Sequence, residues 1–218
     1  MPGLAAVIVA ATLGVAVTSA PTMAAASPSA TAVPLRDAVA ALPVADEIRD
    51  GYQRDKYKLW TDADHDGCST RAEVLIAEAA VAPEVGPKCA LTGGLWYSSY
   101  DDEYVSDARS VDIDHMVPLA EAWDSGAYAW TAKRREDYAN DLDEPRALRA
   151  VTARSNRSKA DQDPSTWLPP YVAAQCGYIT DWVSVKVRWG LTVDNKEEAV
   201  LAQQAANCPN VPIAVDIT

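Results

Sequence analysis

The stretch Asp112-Ile113-Asp114-His115-Met116-Val117-Pro118 decides how the centre of this 218-residue chain folds and which chemistry it offers. Apolar and polar residues alternate on its N-terminal side, which predicts a strand over residues 107–115 that ends at His115. An acid directly before a histidine can hold a divalent cation while the imidazole takes a proton from water. His65 is the one other histidine in the sequence, so His115 is the candidate general base.

Two later segments carry side-chain amides that could complete the shell of such a cation. Asn140-Asp141-Leu142 follows a predicted helix over residues 132–139, and Asn156-Arg157-Ser158-Lys159 follows a predicted strand over residues 148–153. A further helix is expected to begin near Asn156. The predicted order is therefore strand, connection, strand and helix.

Together these residues resemble the HNH branch of the ββα-metal nucleases, in particular secreted actinobacterial proteins related to the C-terminal domain of GmrSD-type restriction enzymes. The pattern of that family has an acid-His-x-x-Pro strand end, a central Asn before Leu, and a final His or Asn followed three residues later by Lys. The resemblance extends through Cys68-Ser69-Thr70-Arg71-Ala72-Glu73-Val74-Leu75, Glu121-Ala122-Trp123, Asp161-Gln162-Asp163-Pro164 and Trp167-Leu168-Pro169-Pro170.

The resemblance implies an α+β fold with a ββα-metal (HNH) core at about residues 107–170, additional helices, and metal-dependent hydrolysis of phosphodiester bonds. DNA would be the substrate, with RNA as a second class, and sequence preference would be weak. His115 would be the general base, and Asp114 and Asn156 would hold one Mg²⁺ or Mn²⁺. Asn140 would orient the His115 loop, or merely cap a turn, and Lys159 would contact a phosphate.

This sequence departs from the family pattern in two places. The last position of the pattern is Asn156 rather than His, which favours a hard cation over zinc or nickel. An extra residue, Asp141, separates the central Asn140 from Leu142.

The charge of the chain is −12, which argues against a protein that holds nucleic acid by electrostatics alone. Residues 145–160 nevertheless carry five basic residues and no acidic ones. Three of them are candidate phosphate-binding residues, although a solvated face is the alternative: Arg149, Arg154 and Arg157.

A second constellation fits a twelve-residue EF-hand calcium loop, which would bind a structural Ca²⁺. Its ligands would be Asp62, Asp64, Asp66, the Cys68 carbonyl and Glu73, with Gly67 at the sharp turn. The same residues allow another interpretation, because Thr70-x-x-Glu73 is also a capping box that would turn Glu73 toward its own helix. The sequence alone leaves both open.

The N-terminal segment predicts export. Residues 4–20 carry no charge, and small residues precede a predicted cleavage site after Ala26. We expect a signal peptide at 1–26, a linker at 27–34 and a single domain at 35–218. The product would be a secreted monomer with no membrane contact after cleavage. An uncleaved membrane anchor is the alternative, since no Lys or Arg precedes Arg36.

The four cysteines fit an oxidised protein. Of the three possible pairings we favour the local one, Cys68 with Cys89 and Cys176 with Cys208.

Helical patterns cover residues 35–57 with an interruption at Pro43, and also 71–81, 118–130, 178–189 and 196–206. Residues 92–100 predict a strand with turns. Since the chain has no Phe, Trp and Tyr must supply the aromatic core.

Two rival functions remain at this level: a non-enzymatic calcium-binding module and a nuclease toxin domain.

Overall fold

The computed structural model describes residues 32–218 and Gly3. The predicted signal peptide, apart from Gly3, and residues 27–31 of the predicted linker lie outside the described residues. The α-helices are α1 (Leu35–Ala41), α2 (Thr70–Ala77), α3 (Leu119–Asp124), α4 (Ala132–Ala139), α5 (Ala153–Lys159), α6 (Gln175–Trp189) and α7 (Asn195–Asn207).

The strands form four small antiparallel sheets. They are β1 (Val33–Pro34), β2 (Ala79–Val81), β3 (Glu84–Gly86), β4 (Ala90–Thr92), β5 (Leu95–Ser98), β6 (Glu103–Val105), β7 (Val111–His115), β8 (Leu148–Thr152) and β9 (Pro212–Ile213). The sheet orders are β1-β9, β2-β5-β6, β3-β4 and β7-β8. The mixture of helices and strands confirms the α+β class.

The central element is the antiparallel pair β7 and β8, in which Asp114 faces Arg149 and His115 faces Leu148. Helix α5 follows β8 directly and packs back against β7. The Thr152 side chain accepts a hydrogen bond from the backbone N–H of Ser155, which caps α5 at its N-terminus. The predicted strand, connection, strand and helix therefore occur in that order.

The remaining helices form the body that supports this pair. Helix α1 packs against α6 and α7, and α2 packs against β7 and β8. Trp and Tyr side chains dominate the buried aromatic positions, as the absence of Phe predicted: Tyr57, Trp96, Tyr100, Trp123, Tyr138, Tyr178, Trp182 and Trp189. Both predicted disulfides, Cys68–Cys89 and Cys176–Cys208, are present.

The prediction of helical packing as far as Tyr57 was wrong. Helix α1 ends at Ala41. Between Pro43 and Tyr57 the chain is irregular apart from one 3₁₀ turn at Arg54–Lys56. Proline has no N–H for a helical hydrogen bond, and Val44 instead bridges to Val193.

Two other predicted helices are shorter than expected. The helix predicted for residues 71–81 ends at Ala77, and Ala79–Val81 joins the sheet as β2. The helix predicted for residues 118–130 ends at Asp124, because Gly126 adopts a φ of +127°. Conversely α5 begins three residues before Asn156.

Among residues 32–218, we find no helix of the length and apolarity that a membrane crossing requires.

Candidate active site

A cavity of about 320 Å³ opens between the end of β7 and the C-terminal half of α5. It brings together three of the residues predicted for the site, Asp114, His115 and Asn156. Its other lining residues are Arg54, Ile113, Pro118, Leu119, Arg157, Ala160 and Asp161. The geometry of the cavity therefore rests on the β7-β8 pair and on the helix that follows it.

His115 is buried, and its Nε2 lies 3.0 Å from the backbone oxygen of Ala139. A carbonyl can only accept, so Nε2 carries the hydrogen and Nδ1 keeps its lone pair. The pKa of His115 is lowered to about 4, chiefly by burial. The positive charges of Arg54 and Lys159 act in the same direction, and the hydrogen bond to the Ala139 carbonyl opposes them. The imidazole is therefore neutral at neutral pH.

Lys159 does not point to the cavity. Its side chain is completely buried, and Nζ donates to Asp114 Oδ2 at 2.6 Å, to the His115 carbonyl at 2.8 Å and to the Met116 carbonyl at 2.9 Å. These three contacts use all three donors of an ammonium group. The structure thus places Lys159 beneath the end of β7, away from a position where it could contact a phosphate.

Asp114 is held from one side only. Its Oδ2 accepts hydrogen bonds from Lys159 and from the Tyr100 hydroxyl, the latter at 2.7 Å, whereas its Oδ1 accepts none from residues 32–218. Burial raises the pKa of the Asp114 carboxyl, and the Lys159 ammonium and the Tyr100 hydroxyl offset part of that rise. One carboxylate oxygen is accordingly available to a cation.

Asn156 has a similar arrangement. Its Nδ2 donates to Asp112 Oδ2 at 3.2 Å, and this contact fixes the orientation of the amide. Its Oδ1 accepts no hydrogen bond within the described part of the chain. The donors that remain are a carboxylate oxygen of Asp114 and an amide oxygen of Asn156. Hard oxygen donors of this kind fit Mg²⁺ or Mn²⁺.

Asn140 does not contact the His115 loop directly. Its Nδ2 donates to the carbonyls of Lys58 and Glu136, both at 2.7 Å, and its Oδ1 accepts from the Thr61 N–H at 3.0 Å. The Thr70 hydroxyl also lies 3.0 Å from Oδ1. The amide is therefore fully occupied in holding an earlier segment of the chain.

That segment contains Trp60, a residue that the sequence analysis did not assign to the site. The indole is stacked on the His115 ring, with centroids 5.5 Å apart and an interplanar angle of 29°. Its backbone is left-handed, with a φ of +56°. Such a conformation costs on the order of 1–2 kcal/mol at a bulky residue, so the surrounding contacts must hold it.

The predicted phosphate-binding arginines separate into two groups. Arg149 pairs with Glu78 at 3.1 Å, and Arg154 pairs with Asp101 and Glu103. Arg157 is the one of the three that lines the cavity, and its Nε lies 3.6 Å from Asp112 Oδ2. The cavity is also lined by the exposed Arg54, which lies in the 3₁₀ turn Arg54–Lys56 and belongs to no sequence motif that predicts a site.

The Asp62 loop, residues 62–73, brings three carboxylates together. Ligand oxygens of Asp62, Asp64 and Asp66 all lie within 4.8 Å of one another. Gly67 donates its N–H to Asp62 Oδ2 at 3.2 Å. The capping-box alternative does not form, because the N-cap position is Ser69, whose side chain makes no capping hydrogen bond, and the Thr70 hydroxyl donates to the Thr61 carbonyl at 2.8 Å.

The charges of those carboxylates act on Glu73. Its pKa is raised, first by burial and then by the charges of the three aspartates of the loop. Asp62, Asp64 and Asp66 thus form the carboxylate cluster of the predicted calcium loop, and Glu73 is not part of that cluster.

Comparison with known proteins places this architecture in a family. Residues 85–204 match the family described as GmrSD restriction endonucleases, C-terminal domain. No solved structure matches the chain.

A protein of the fungus Arthroderma benhamiae, named "Uncharacterized secreted protein", is 40% identical over 160 residues. The match covers 73% of this chain and 77% of the fungal protein. This match does not support the predicted resemblance to actinobacterial proteins in particular, since this relative is fungal. The family match spans more than half of the 218 residues, and this chain belongs to the family of GmrSD restriction endonuclease C-terminal domains.

Proposed function

We propose that this protein is a secreted, metal-dependent endonuclease of the ββα-metal (HNH) type, which hydrolyses phosphodiester bonds in DNA, with RNA as a second substrate class. One observation carries the proposal. A buried histidine, whose Nδ1 accepts no hydrogen bond from residues 32–218, lines one cavity together with Asp114 and Asn156, and each of these two has a side-chain oxygen that accepts none from the same residues. Membership of a restriction endonuclease family supports it.

His115 would act as the general base. Its Nδ1 takes a proton from a water molecule while the water oxygen bonds to the phosphorus atom and the bond from phosphorus to the leaving oxygen breaks. The leaving oxygen takes a proton from solvent. Because burial holds the pKa of His115 at about 4, the imidazole is unprotonated at neutral pH and ready for this step.

Asp114 and Asn156 would hold one Mg²⁺ or Mn²⁺. When bound, the cation supplies stabilisation of the charge on the scissile phosphate and on the leaving oxygen. Lys159 and Tyr100 keep the Asp114 carboxylate in place from beneath, and Asp112 does the same for the Asn156 amide. Arg54 and Arg157 line the cavity and would attract the phosphate backbone.

Substrate recognition would depend on the backbone rather than on the bases. The sequence contains no separate base-reading module such as a zinc finger, and the net charge of −12 argues against a protein that holds nucleic acid by electrostatics alone. We therefore infer little sequence preference.

The secreted and monomeric state is part of the proposal. The uncharged segment at residues 4–20 is typical of a signal peptide, and the two disulfides suit an oxidising compartment. The name of the fungal relative agrees with export.

A plasmid-cleavage assay tests the nuclease proposal. The oxidised protein, residues 27–218, is incubated with plasmid DNA or with RNA in Mg²⁺ or Mn²⁺, alongside a sample with EDTA and the variant His115→Ala. We expect cleavage by the wild type and loss of cleavage in both other samples. His65→Ala is the matched control, because it removes the other histidine and should cleave normally. An inactive wild type under every divalent ion, or full activity in His115→Ala, would overturn the proposal.

A structural calcium ion in the Asp62 loop is a second proposal, favoured by the three clustered carboxylates. It would fix the loop that contains Cys68 and would take no part in hydrolysis.

Calcium binding with no cleavage of any nucleic acid would support the rival function, a non-enzymatic calcium-binding module. Toxicity of the domain when expressed in the cytoplasm would instead favour a toxin.

A further inference from the structure

The contact between Trp60 and His115 has no assigned role in the proposed chemistry. Trp60 is half-buried and comes from an irregular segment, whereas His115 ends β7. Their rings are stacked with centroids 5.5 Å apart, and the buried Tyr138 ring lies within 19° of parallel to the same imidazole at 6.4 Å. Rotation of the His115 ring would meet both aromatic rings.

The Trp60 segment, residues 58–61, is held at both ends by a single side chain. Asn140 donates to the carbonyl of Lys58 and accepts from the N–H of Thr61, so the two hydrogen bonds flank Trp60. They hold the left-handed backbone that directs the indole to the imidazole. Without that support, a bulky residue would leave this conformation.

The neighbour of Asn140 contacts His115 itself. The carbonyl of Ala139 accepts the hydrogen of His115 Nε2, which leaves Nδ1 as the basic atom. Residues 139 and 140 thus hold the imidazole through its edge and also the segment that covers its face. Both contacts act on the orientation of one ring.

We propose that Trp60 is a positioning residue that keeps the His115 ring oriented with Nδ1 toward the reaction centre, and that Asn140 acts by holding the Trp60 segment in place. The inference rests on the proposed nuclease function. In this proposal Asn140, the central Asn of the sequence pattern, orients the His115 ring by way of the Trp60 indole and not by way of the His115 loop.

Trp60→Gly is the primary test, because glycine adopts a positive φ without steric cost and only the ring is lost. We expect kcat to fall about tenfold with an unchanged KM, since misplacement of a catalytic group slows the chemical step and leaves substrate binding intact. Trp60→Phe restores an aromatic ring and should recover most of kcat. Tyr104→Ala, which removes an exposed aromatic side chain of β6, is the matched control and should change neither constant.

Proton NMR gives a readout that does not depend on activity. The chain has two histidines, so His65→Ala identifies which imidazole signals belong to His115. A stacked indole shifts the signals of the ring protons that it covers, and we expect the His115 signals to move in Trp60→Gly and in Asn140→Ala. The His65 signals should stay in place in both.

The two measurements separate the possible failures. Unchanged His115 signals in Trp60→Gly would overturn the positioning role, whatever the activity. A raised KM with unchanged kcat would also overturn it, because Trp60 would then contact the substrate. If the wild type cleaves no nucleic acid but its His115 signals respond to Trp60→Gly, the nuclease proposal fails and the positioning contact stands.

Discussion

Lys159 and Asp114 form a fully buried ion pair beneath the candidate site, with 2.6 Å between Nζ and Oδ2. The ammonium group also ties together the carbonyls of His115 and Met116 at the end of β7. Lys159 therefore supports the residues that line the cavity and does not itself line it.

Lys159→Met should destabilise the protein by about 3–5 kcal/mol, because it leaves the Asp114 carboxylate buried without its cation. Urea unfolding of the purified variant measures this loss. Lys196→Met, on the exposed surface of α7, should change stability by no more than about 0.5 kcal/mol. If Lys159→Met instead unfolds at the wild-type midpoint and cleaves with a raised KM, Lys159 contacts phosphate as the sequence pattern implied.

Asn156→Ala should raise the Mn²⁺ concentration needed for half-maximal cleavage by at least about tenfold, because the cation loses the amide oxygen while Asp114 keeps its ion pair with Lys159. Titration of cleavage rate against Mn²⁺ measures the change. Asn195→Ala, at an exposed position of α7, should leave the titration unaltered. An equal curve for Asn156→Ala would remove Asn156 from the metal site.

Ca²⁺ should raise the melting temperature of the wild type, and Asp64→Ala should abolish that increase. Binding to the folded state stabilises by about 2.7 kcal/mol when the free ion is a hundred times its Kd. Thermal unfolding in Ca²⁺ and in EDTA measures the difference, and Glu84→Gln on β3 removes a carboxylate outside the loop as a control. Equal melting temperatures of the wild type with and without Ca²⁺ would rule out a structural ion in the Asp62 loop.

Asp181→Asn should stabilise the protein above pH 6 and not at pH 4. Burial raises the pKa of Asp181 from 3.8 to about 6, although Arg149 and Arg146 offset part of the rise. A folded-state pKa above the unfolded value gives stability that is complete below about pH 4 and lost as pH rises through about 6. The neutral amide avoids that loss, which is about 2–3 kcal/mol at pH 8.

Urea midpoints of the wild type and of Asp181→Asn at pH 4 and pH 8 test this dependence. The difference between the two proteins should appear at pH 8 alone. Glu84→Gln, which neutralises an exposed carboxylate, serves again as the control. A difference of the same size at both pH values would mean that the carboxyl does not titrate in this range.

The sequence predicted the members of the site that lie in the local pattern. Asp114, His115 and Asn156 line one cavity because a strand end and the helix after the next strand meet in an antiparallel pair. The two disulfides were also predicted correctly, since each joins cysteines close in sequence.

What the sequence could not predict depends on packing between distant segments. Trp60 lies outside every predicted element, and Arg54 lies in a stretch predicted as helical that carries no site motif. The hydrogen bonds of Asn140 hold the segment that stacks Trp60 on His115. The spacing between Asn156 and Lys159 correctly places them one turn apart. Only the packing of α5 on β7 decides that the Lys159 side chain is buried beneath the strand and not directed to the cavity.

The pairing of β1 with β9 joins the beginning of the described chain to its far end. Val33 pairs with Ile213, and Arg36 donates to the carbonyls of Ala205 and Cys208. A polypeptide that is synthesised from its N-terminus cannot make these contacts until almost all of it has been made. Assembly of the domain is therefore completed late, because α1 cannot pack against its partner helix α7 until the intervening residues have been synthesised.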